Sequence, residues 1–369
     1  MITKNTRGRW STVASLGVVA LLLAGCSSNS DTTPTESAPT TSEAPAASET
    51  PAATDSATAA PESPDYVDFR EAAPGSGDGM KLGFITLGDS IPFSKLVTDG
   101  MVAQAKAAGA DLIVCDSAHD AAKALTCVQN FKTQGVQGYL NFQPDSAAAA
   151  GICEAGPQVP VIAVDIEQQP CQDAFMGANN AKAGFIGGES MGQYFKDNFD
   201  CKYDAFVSLE QPAAGVVNDY RMGGYRDGFE SVCGTIENLQ QVDTGGVTDQ
   251  ARTVFADVLT TLPDAKHIVV VAINDDSALG ALAAARTANR DGNIYISAQG
   301  ADPSAVCEIA TNPNWVGDTA YFPERYGEIG IQYLIDMVNG KEVPKSLYIK
   351  HEFVTADNIG DYYDTAACK

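Results

Sequence analysis

From Met80 onward, short β-rich runs alternate with segments whose apolar residues recur at helical spacing. Several runs are apolar on both faces, as Val269–Ala272 is, which is typical of parallel strands covered by helices on both sides. Alternation of this kind predicts a doubly wound α/β architecture. Strands are predicted at 81–87, 111–115, 138–142, 159–165, 205–210, 239–244, 267–274, 293–299 and 315–322. Helices are predicted at 95–108, 121–132, 181–198, 216–232, 249–261, 277–289 and 324–339.

The predicted strands are more numerous than one sheet of about six strands can hold, so two sheets are predicted. Ligands bind to such sheets at the carboxyl ends of the strands. Polar or aromatic residues occupy the loops at several predicted strand ends: 87–93, 165–168, 210–213, 274–276, 299–302 and 321–323. A ligand site is therefore expected where these loops meet.

The chain opens with three basic residues and no acidic one, followed by an apolar run from Val13 to Ala24. That run is too short to span a bilayer comfortably, and it ends in Leu23–Cys26, a small-residue cleavage site with a cysteine directly after it. The pattern predicts a lipoprotein signal peptide at 1–25 and a lipid on Cys26. We therefore expect a protein outside the cytoplasm, anchored to the cell membrane by that lipid alone. An uncleaved anchor helix or a plain secretory signal is the alternative.

Residues 26–78 are rich in Ser, Thr, Pro, Ala and Glu and hold almost no large apolar side chain. Such a segment buries too little surface to offset its ordering entropy, so a disordered linker is predicted. A flexible chain of that length reaches on the order of 40 Å. Without the signal segment the net charge falls from −24 to −27, which argues against nucleic acid or an anionic lipid surface as a partner.

Eight cysteines follow Cys26, and an even number in an exported protein indicates disulfides, although eight cysteines allow 105 pairings. Their spacing favours neighbours, namely Cys115 with Cys127, Cys153 with Cys171, Cys201 with Cys233, and Cys307 with Cys368. There is no CxxC and histidine is scarce, so no metal site is expected.

Catalytic motifs find little support. Gly188–Gly192 matches the G-x-S-x-G pattern, but it lies within a predicted helix and not on the sharp strand-to-helix turn that a nucleophilic serine needs. No phosphate-binding glycine loop follows a strand. Asp275 and Asp276 are adjacent and would diverge on a helix, where capping and the helix dipole explain at least one of them. We expect no enzyme activity and no cofactor.

Five ordered motifs remain, and together they resemble the ribose-binding-protein-like periplasmic sugar-binding proteins of ABC transporters. The resemblance covers about residues 81–355. It rests on Leu82–Ile85 with Pro92–Phe93, on Val159–Asp165, on Asn179–Asn180, on Arg221–Phe229 and on Asn274–Leu282. It implies two doubly wound parallel-sheet lobes joined by a three-segment hinge, the type I periplasmic binding fold. The lobes would hold 79–177 plus 322–349 and 178–321 plus 350–369, with crossings near 177–179, 321–322 and 350–351.

The resemblance implies a ligand site of eight residues between the lobes: Asp89, Ser90, Phe93, Asp165, Arg221, Asn274, Gln299 and Tyr321. The residue types suit a sugar or polyol, because a guanidinium gives two parallel N–H bonds and a carboxylate accepts from hydroxyls. Four of the eight have a plainer alternative: core packing for Phe93, a loop cap for Asp165, a surface cation for Arg221 and a helix cap for Asn274.

Four positions depart from the family pattern. Ile91 and Ile166 stand where ribose binders carry Asn and Arg, Gln299 replaces an Asp, and Tyr321 replaces a hinge Gln. Fewer hydrogen bonds and bulkier walls favour a smaller or less oxygen-dense ligand than ribose, such as a short sugar alcohol or a deoxy sugar.

The function implied is that of a monomeric solute-binding protein that delivers a small neutral carbohydrate or polyol to an ABC permease. Two alternatives remain open. One is a sugar-sensing receptor with the same pocket and a signalling partner. The other is an exported glycan-processing enzyme, which needs a second pocket carboxylate across about 5–9 Å from Asp165.

Overall fold

A computed structural model describes residues 66–368. The predicted signal peptide, the lipidation site Cys26 and most of the predicted linker lie outside these residues. The strands are β1 Lys81–Thr86, β2 Asp111–Asp116, β3 Gly138–Asn141, β4 Val161–Val164, β5 Ala174–Gly177, β6 Ala205–Glu210, β7 Leu239–Asp243, β8 Ile268–Ala272, β9 Ile294–Gly300, β10 Trp315–Ala320, β11 Ser346–Tyr348 and β12 Glu352–Val354. The helices are α1 Pro92–Ala108, α2 Ala121–Gln134, α3 Ala149–Ala155, α4 Asn180–Phe199, α5 Val216–Cys233, α6 Thr248–Thr261, α7 Asp275–Thr287, α8 Val306–Thr311 and α9 Gly327–Val338.

The strands form two six-stranded sheets of matching order, β11-β5-β4-β3-β1-β2 and β12-β10-β9-β8-β6-β7. We call the layers built on them the first and the second lobe. All pairs are parallel except β10 with β12, an antiparallel edge of the kind that mixed α/β sheets often carry. The chain passes between the sheets at 178–179, 321–322 and 349–351. The predicted fold class, two doubly wound sheets joined by three segments, is confirmed.

Helices α4 and α5 pack with their backbones nearly in contact. A Cβ on Gly184 would lie 2.0 Å from the carbonyl oxygen of Arg221, and one on Gly188 would lie 2.0 Å from that of Tyr225. Only glycine fits at such distances. The glycines of the G-x-S-x-G motif therefore serve helix packing inside α4, and this packing holds Arg221 at a fixed height in the second lobe.

Disulfide bonds join the four neighbouring cysteine pairs that the spacing favoured. Their Cα atoms lie 5.7 Å apart in Cys115–Cys127 and Cys153–Cys171, 5.4 Å apart in Cys201–Cys233 and 5.0 Å apart in Cys307–Cys368. The last bond ties the C-terminus to α8, in the second lobe.

The predicted linker is too long at its C-terminal end. Residues 66–78 lie against the first lobe, because the Val67 N–H donates to the Tyr348 carbonyl at 2.9 Å and the Ala72 N–H donates to Gln104 Oε1 at 2.8 Å. Ala72 is buried, and the Phe69 ring lies 4.0 Å from the guanidinium carbon of Arg325. Apolar and aromatic residues within this stretch supply the buried surface that the preceding composition lacks. Within residues 66–368, no helix is both long and apolar enough to cross a membrane.

Candidate ligand-binding cleft

A cavity of about 70 Å³ lies between the lobes, at the carboxyl ends of strands from both sheets. Its position follows from the topology, since both sheets reverse their strand order at this edge. Six of the eight predicted site residues line it: Phe93, Asp165, Arg221, Asn274, Gln299 and Tyr321.

The two lobes contribute different chemistry to the cavity. The first lobe supplies one charged group, Asp165, and otherwise the apolar side chains of Leu87, Ile91, Phe93, Phe142 and Ile166. The second lobe supplies most of the polar groups, including Gln211, which sequence reasoning did not single out. Ile91 and Ile166, two of the positions that depart from the family pattern, line the cavity. A bound molecule therefore meets an apolar wall on one side.

Arg221 is buried, with 7% of its surface exposed. Its Nε and Nη2 both donate to Asn180 Oδ1, at 2.9 and 2.7 Å, and its Nη1 donates to the Ile273 carbonyl at 2.7 Å. The guanidinium carbon lies 5.3 Å from the ring centre of Tyr321. The alternative of a surface cation is therefore wrong, and Asn180, at the start of α4, is a positioning residue that only the contact reveals.

Asp165 follows β4 with φ of 53°, a left-handed conformation that Asp tolerates better than most residues. Its Oδ1 accepts from the Tyr326 hydroxyl at 3.0 Å. Burial raises the pKa of Asp165 to about 6, while Arg221, Tyr326 and the Ala178 N–H act in the opposite direction. The Asp165 carboxylate is therefore easier to protonate than an exposed one.

Asn274 caps α7, since its Oδ1 accepts from the Ser277 N–H at 2.9 Å and its Nδ2 donates to the Gly246 carbonyl at 2.9 Å. Asn274 therefore caps the helix and lines the cavity at the same time. One amide N–H and one lone pair stay free for a ligand.

Gln299 and Tyr321 form a hydrogen-bonded pair, in which the Tyr321 hydroxyl donates to Gln299 Oε1. The Gln299 Nε2 is buried with no partner among the described residues. Phe93 meets Tyr321 and Tyr326 edge-to-face, with ring centres 6.4 and 5.7 Å apart, and is half-buried. Its core-packing alternative is thus partly right, because the ring packs on tyrosines while it lines the cavity.

Asp89 and Ser90 do not reach the cavity. Both are exposed, and Asp89 Oδ1 accepts from the Thr98 hydroxyl at 3.0 Å. The loop after β1 instead directs Ile91 toward the cavity.

Three further carboxylates line the cavity: Asp275, Asp276 and Asp302. The sequence had suggested helix capping for at least one of the adjacent pair, Asp275 and Asp276. Asp276 accepts from the Thr248 hydroxyl at 2.8 Å, and Asp302 accepts from the Ser304 N–H at 2.8 Å. Burial raises the pKa of Asp276 to about 6. No cluster of three or more His, Cys, Asp or Glu suited to a metal occurs in the part of the chain that the structure describes.

Known proteins of similar sequence agree with this fold and cavity. The family model described as a periplasmic binding protein domain matches residues 82–342. The ribose import binding protein RbsB of Bacillus subtilis is 27% identical over 285 residues, which cover 74% of this chain and 87% of that protein. The putative rhizopine-binding protein of Rhizobium meliloti is 26% identical, with coverage of 73% and 88%.

Solved structures share the fold. A solute-binding protein from Mycobacterium smegmatis with bound glycerol superposes with a TM-score of 0.67 at 25% identity, covering 76% of this chain and 96% of that one. The Caulobacter myo-inositol binding protein gives a TM-score of 0.66 at 22% identity, with coverage of 77% and 97%. The resemblance read from the motifs is confirmed: the chain belongs to the periplasmic binding protein family, among its ribose-binding-like sugar-binding members.

Proposed function

We propose that this protein is the lipid-anchored solute-binding component of an ABC importer. It binds a monosaccharide or a small sugar alcohol between its lobes as a monomer and delivers it unchanged to a permease. The observation that carries the proposal is the cavity between the lobes, which Asp165 of the first lobe and Arg221 and Asn274 of the second line together. Both sets of groups reach one ligand only when the lobes are shut, so binding favours the shut form.

The energetics suit a tight binder. A hydrogen bond to a charged group contributes roughly 1.5–3 kcal/mol. Three or four such bonds in a cavity without bulk water supply the approximately −8 kcal/mol of a micromolar complex after ordering costs. The apolar wall of Ile91 and Ile166 removes two hydrogen-bonding positions. This supports a ligand with few oxygens or with one C–H face, such as a short sugar alcohol or a deoxy sugar.

The N-terminal sequence supports membrane anchoring through Cys26, with residues up to 65 as the tether. Cys26→Ala should move the protein from the membrane fraction to the medium or periplasm, while Ser27→Ala should leave it bound. Retention of the Cys26→Ala protein on membranes would contradict a lipid anchor.

The central experiment is a thermal-shift screen of the chain from residue 66 against pentoses, hexoses, deoxy sugars and C3–C6 sugar alcohols. A specific ligand raises the melting temperature by mass action. Calorimetry then gives its affinity, and mass spectrometry of the recovered ligand checks that it is unaltered. A panel in which no member shifts the melting temperature contradicts the proposal, and turnover of a glycoside would favour the exported enzyme instead.

A further inference from the structure

Residues 66–69, which we call the hinge brace, contact two of the three crossings between the lobes. The Tyr66 ring meets the His351 ring edge-to-face with centres 5.3 Å apart, and the Tyr66 hydroxyl lies 3.4 Å from His351 Nε2. The Phe69 ring meets the Phe322 ring edge-to-face with centres 6.4 Å apart. His351 belongs to the third crossing and Phe322 to the second. The segment at which the N-terminal sequence joins the folded part therefore packs on the hinge.

Further contacts fasten the hinge brace to the first lobe. The Val67 N–H donates to the Tyr348 carbonyl of β11 at 2.9 Å, and the N–H of the next exposed residue, Arg70, donates to the Glu328 carbonyl of α9 at 3.2 Å. The side chains of Val67 and Phe69 pack against the apolar core of the same lobe. The hinge brace is therefore expected to move with the first lobe when the angle between the lobes changes.

Phe322, on the other side of the aromatic contact, packs with the second lobe. Its ring stacks on Tyr363 with centres 6.3 Å apart and lies 5.8 Å from the ring centre of Tyr362. Phe322 and Tyr363 both pack against the apolar core of the second lobe. The contact between Phe69 and Phe322 thus joins the two lobes beside the second crossing. Edge-to-face packing holds only within a narrow range of ring positions, so this contact depends on the angle between the lobes.

The backbone of Phe322 is left-handed, with φ of 57° and ψ of 57°. For a bulky side chain this conformation is an outlier, which persists only where the surrounding structure holds it. Phe69 from the first lobe and Tyr363 from the second supply rings on either side of Phe322. Without Phe69 the strained residue has one restraint fewer, and relaxation of its backbone would turn the second crossing.

The contacted crossings also lie next to the ligand cavity. Tyr321, in the second crossing, lines the cavity and meets the His351 ring edge-to-face with centres 6.2 Å apart. The lobes touch across the cleft in this structure, since Ser146 Oγ of the first lobe donates to the Ala213 carbonyl of the second at 3.3 Å. The contacts of the hinge brace are therefore contacts of the shut form.

We propose that the hinge brace holds the two lobes near their shut arrangement and so raises the affinity for the bound solute. Tyr66 and Phe69 are then positioning residues, since they act through the crossings and do not line the cavity. If a ligand binds only the shut form, its apparent affinity is proportional to the fraction of molecules that are shut. The inference goes beyond the proposed function, because the hinge contacts are the same whichever solute binds.

The test measures the distance between the lobes in the full chain, freed of ligand. Spin labels are attached through unnatural amino acids, which spare the disulfides, at Lys123 and Asp249, exposed positions in the first turns of α2 and α6 on opposite lobes. In the double variant Tyr66→Ala with Phe69→Ala, we expect the mean distance to lengthen by about 3 Å or more and its distribution to broaden. An unchanged or shorter mean distance overturns the inference.

Arg70→Ala is the matched control in the adjoining residue. The Arg70 side chain contacts α9 of the first lobe, through Asp336 at 3.2 Å and the Tyr333 ring, and its loss should leave the distance distribution as in wild type. NMR titration of His351 checks that the contact is lost: burial lowers its pKa to about 4, and exposure in Tyr66→Ala should raise it. A raised pKa of His351 with an unchanged distance in the double variant would contradict a role in closure.

Circular dichroism checks that each variant is folded, and the single variants Tyr66→Ala and Phe69→Ala replace the double variant if it does not fold. Equal lengthening in Arg70→Ala would point to general loosening of the segment and overturn the inference. The outcome is separable from that of the proposed function, because the distance is measured without ligand. A longer distance would support the hinge brace even if no member of the sugar panel shifted the melting temperature, a result that would contradict the solute-binding proposal alone.

Discussion

Arg221 donates two of its five N–H groups to a single atom, the side-chain oxygen of Asn180, at 2.9 and 2.7 Å. Asn180 lies in the first turn of α4, directly after the first crossing between the lobes. The guanidinium is therefore positioned before any ligand arrives, which reduces the entropy that binding must offset. The close packing of α4 on α5 at Gly184 and Gly188 also fixes the position of α5, the helix that carries Arg221.

Arg221→Ala should weaken ligand binding at least tenfold and keep the fold. The reason is the loss of a charge-assisted donor at a largely buried position of the cavity. Arg226→Ala is the matched control on the same helix, because Arg226 pairs with Glu210 at 3.1 Å and does not line the cavity. Calorimetry with the ligand from the thermal-shift screen measures both, and circular dichroism checks folding. Equal affinities for wild type and Arg221→Ala would remove Arg221 from the site.

Affinity should fall as the pH is lowered through 6. Asp165 has a pKa of about 6 because it is buried, and only its ionised form accepts two hydroxyl donors. Protonation between pH 7 and pH 5 thus removes an acceptor. Asp165→Asn should bind more weakly at pH 7 and lose this part of the pH dependence. A wild-type profile that matches that of Asp165→Asn from pH 5 to 8 would contradict the role of Asp165.

The free energy of unfolding should respond to Asp318 in the pH range 4–7. Burial raises the pKa of Asp318 to about 7 from 3.8, so the folded chain holds a proton that the unfolded chain has released. Its stabilising contribution is complete below pH 4 and is lost as the pH rises to 7, by at most about 1.4 kcal/mol per pH unit. Asp318→Asn stays neutral, so its stability relative to wild type should increase over this range.

Denaturant titrations at pH 4.5, 6 and 7.5 measure that difference. His351 has the opposite sign, since burial lowers its pKa to about 4 and its contribution is lost as the pH falls below 6.5. That effect is common to both proteins and cancels in the comparison. A constant difference between Asp318→Asn and wild type at the three pH values would contradict a raised pKa of Asp318.

Removing residues 66–78 should lower the melting temperature by several degrees. The segment contributes hydrogen bonds from the Val67 and Ala72 N–H groups, the burial of Ala72 and the contact of Phe69 with Arg325. Net contributions of roughly 0.5–1.5 kcal/mol for each hydrogen bond make this loss measurable. Chains that begin at residue 66 and at residue 79 are compared by calorimetry. As a control, deletion of 31–60 from the full chain should leave the transition unchanged, because that stretch lacks large apolar side chains.

Most long elements were predictable within a few residues, because each shows a repeated period. Strand β6 was predicted with its observed bounds, and α5 differs by one residue. The elements missed were short: α3, β5, α8, β11 and β12, of three to seven residues. Such segments complete too few periods to stand out, and β11 and β12 are held by pairing with strands distant in the sequence.

Part of the cavity lining could be expected from the sequence, because Asp165 and Asn274 follow predicted strand ends. Arg221 lies on α5, and a motif of the family resemblance singled it out. Asp89 and Ser90 lie outside the cavity lining, and their loop has no periodicity from which the direction of a side chain could be read. Asp318 could not be singled out from the sequence, because the carboxylates that act on it, Asp275 and Asp302, are brought near it only by the fold.

The sequence by itself determined the two-lobed fold and the strand ends that carry the site, because periodicity and strand–helix order are local properties of the chain. Tertiary structure alone decided which polar groups find partners. Asn180 accepts from Arg221 although it lies 41 residues away in the chain, whereas Asp275 Oδ1 has no donor among the described residues. Hydrogen bonding and desolvation depend on distances in space, so residues far apart in the chain set the charge of the cleft.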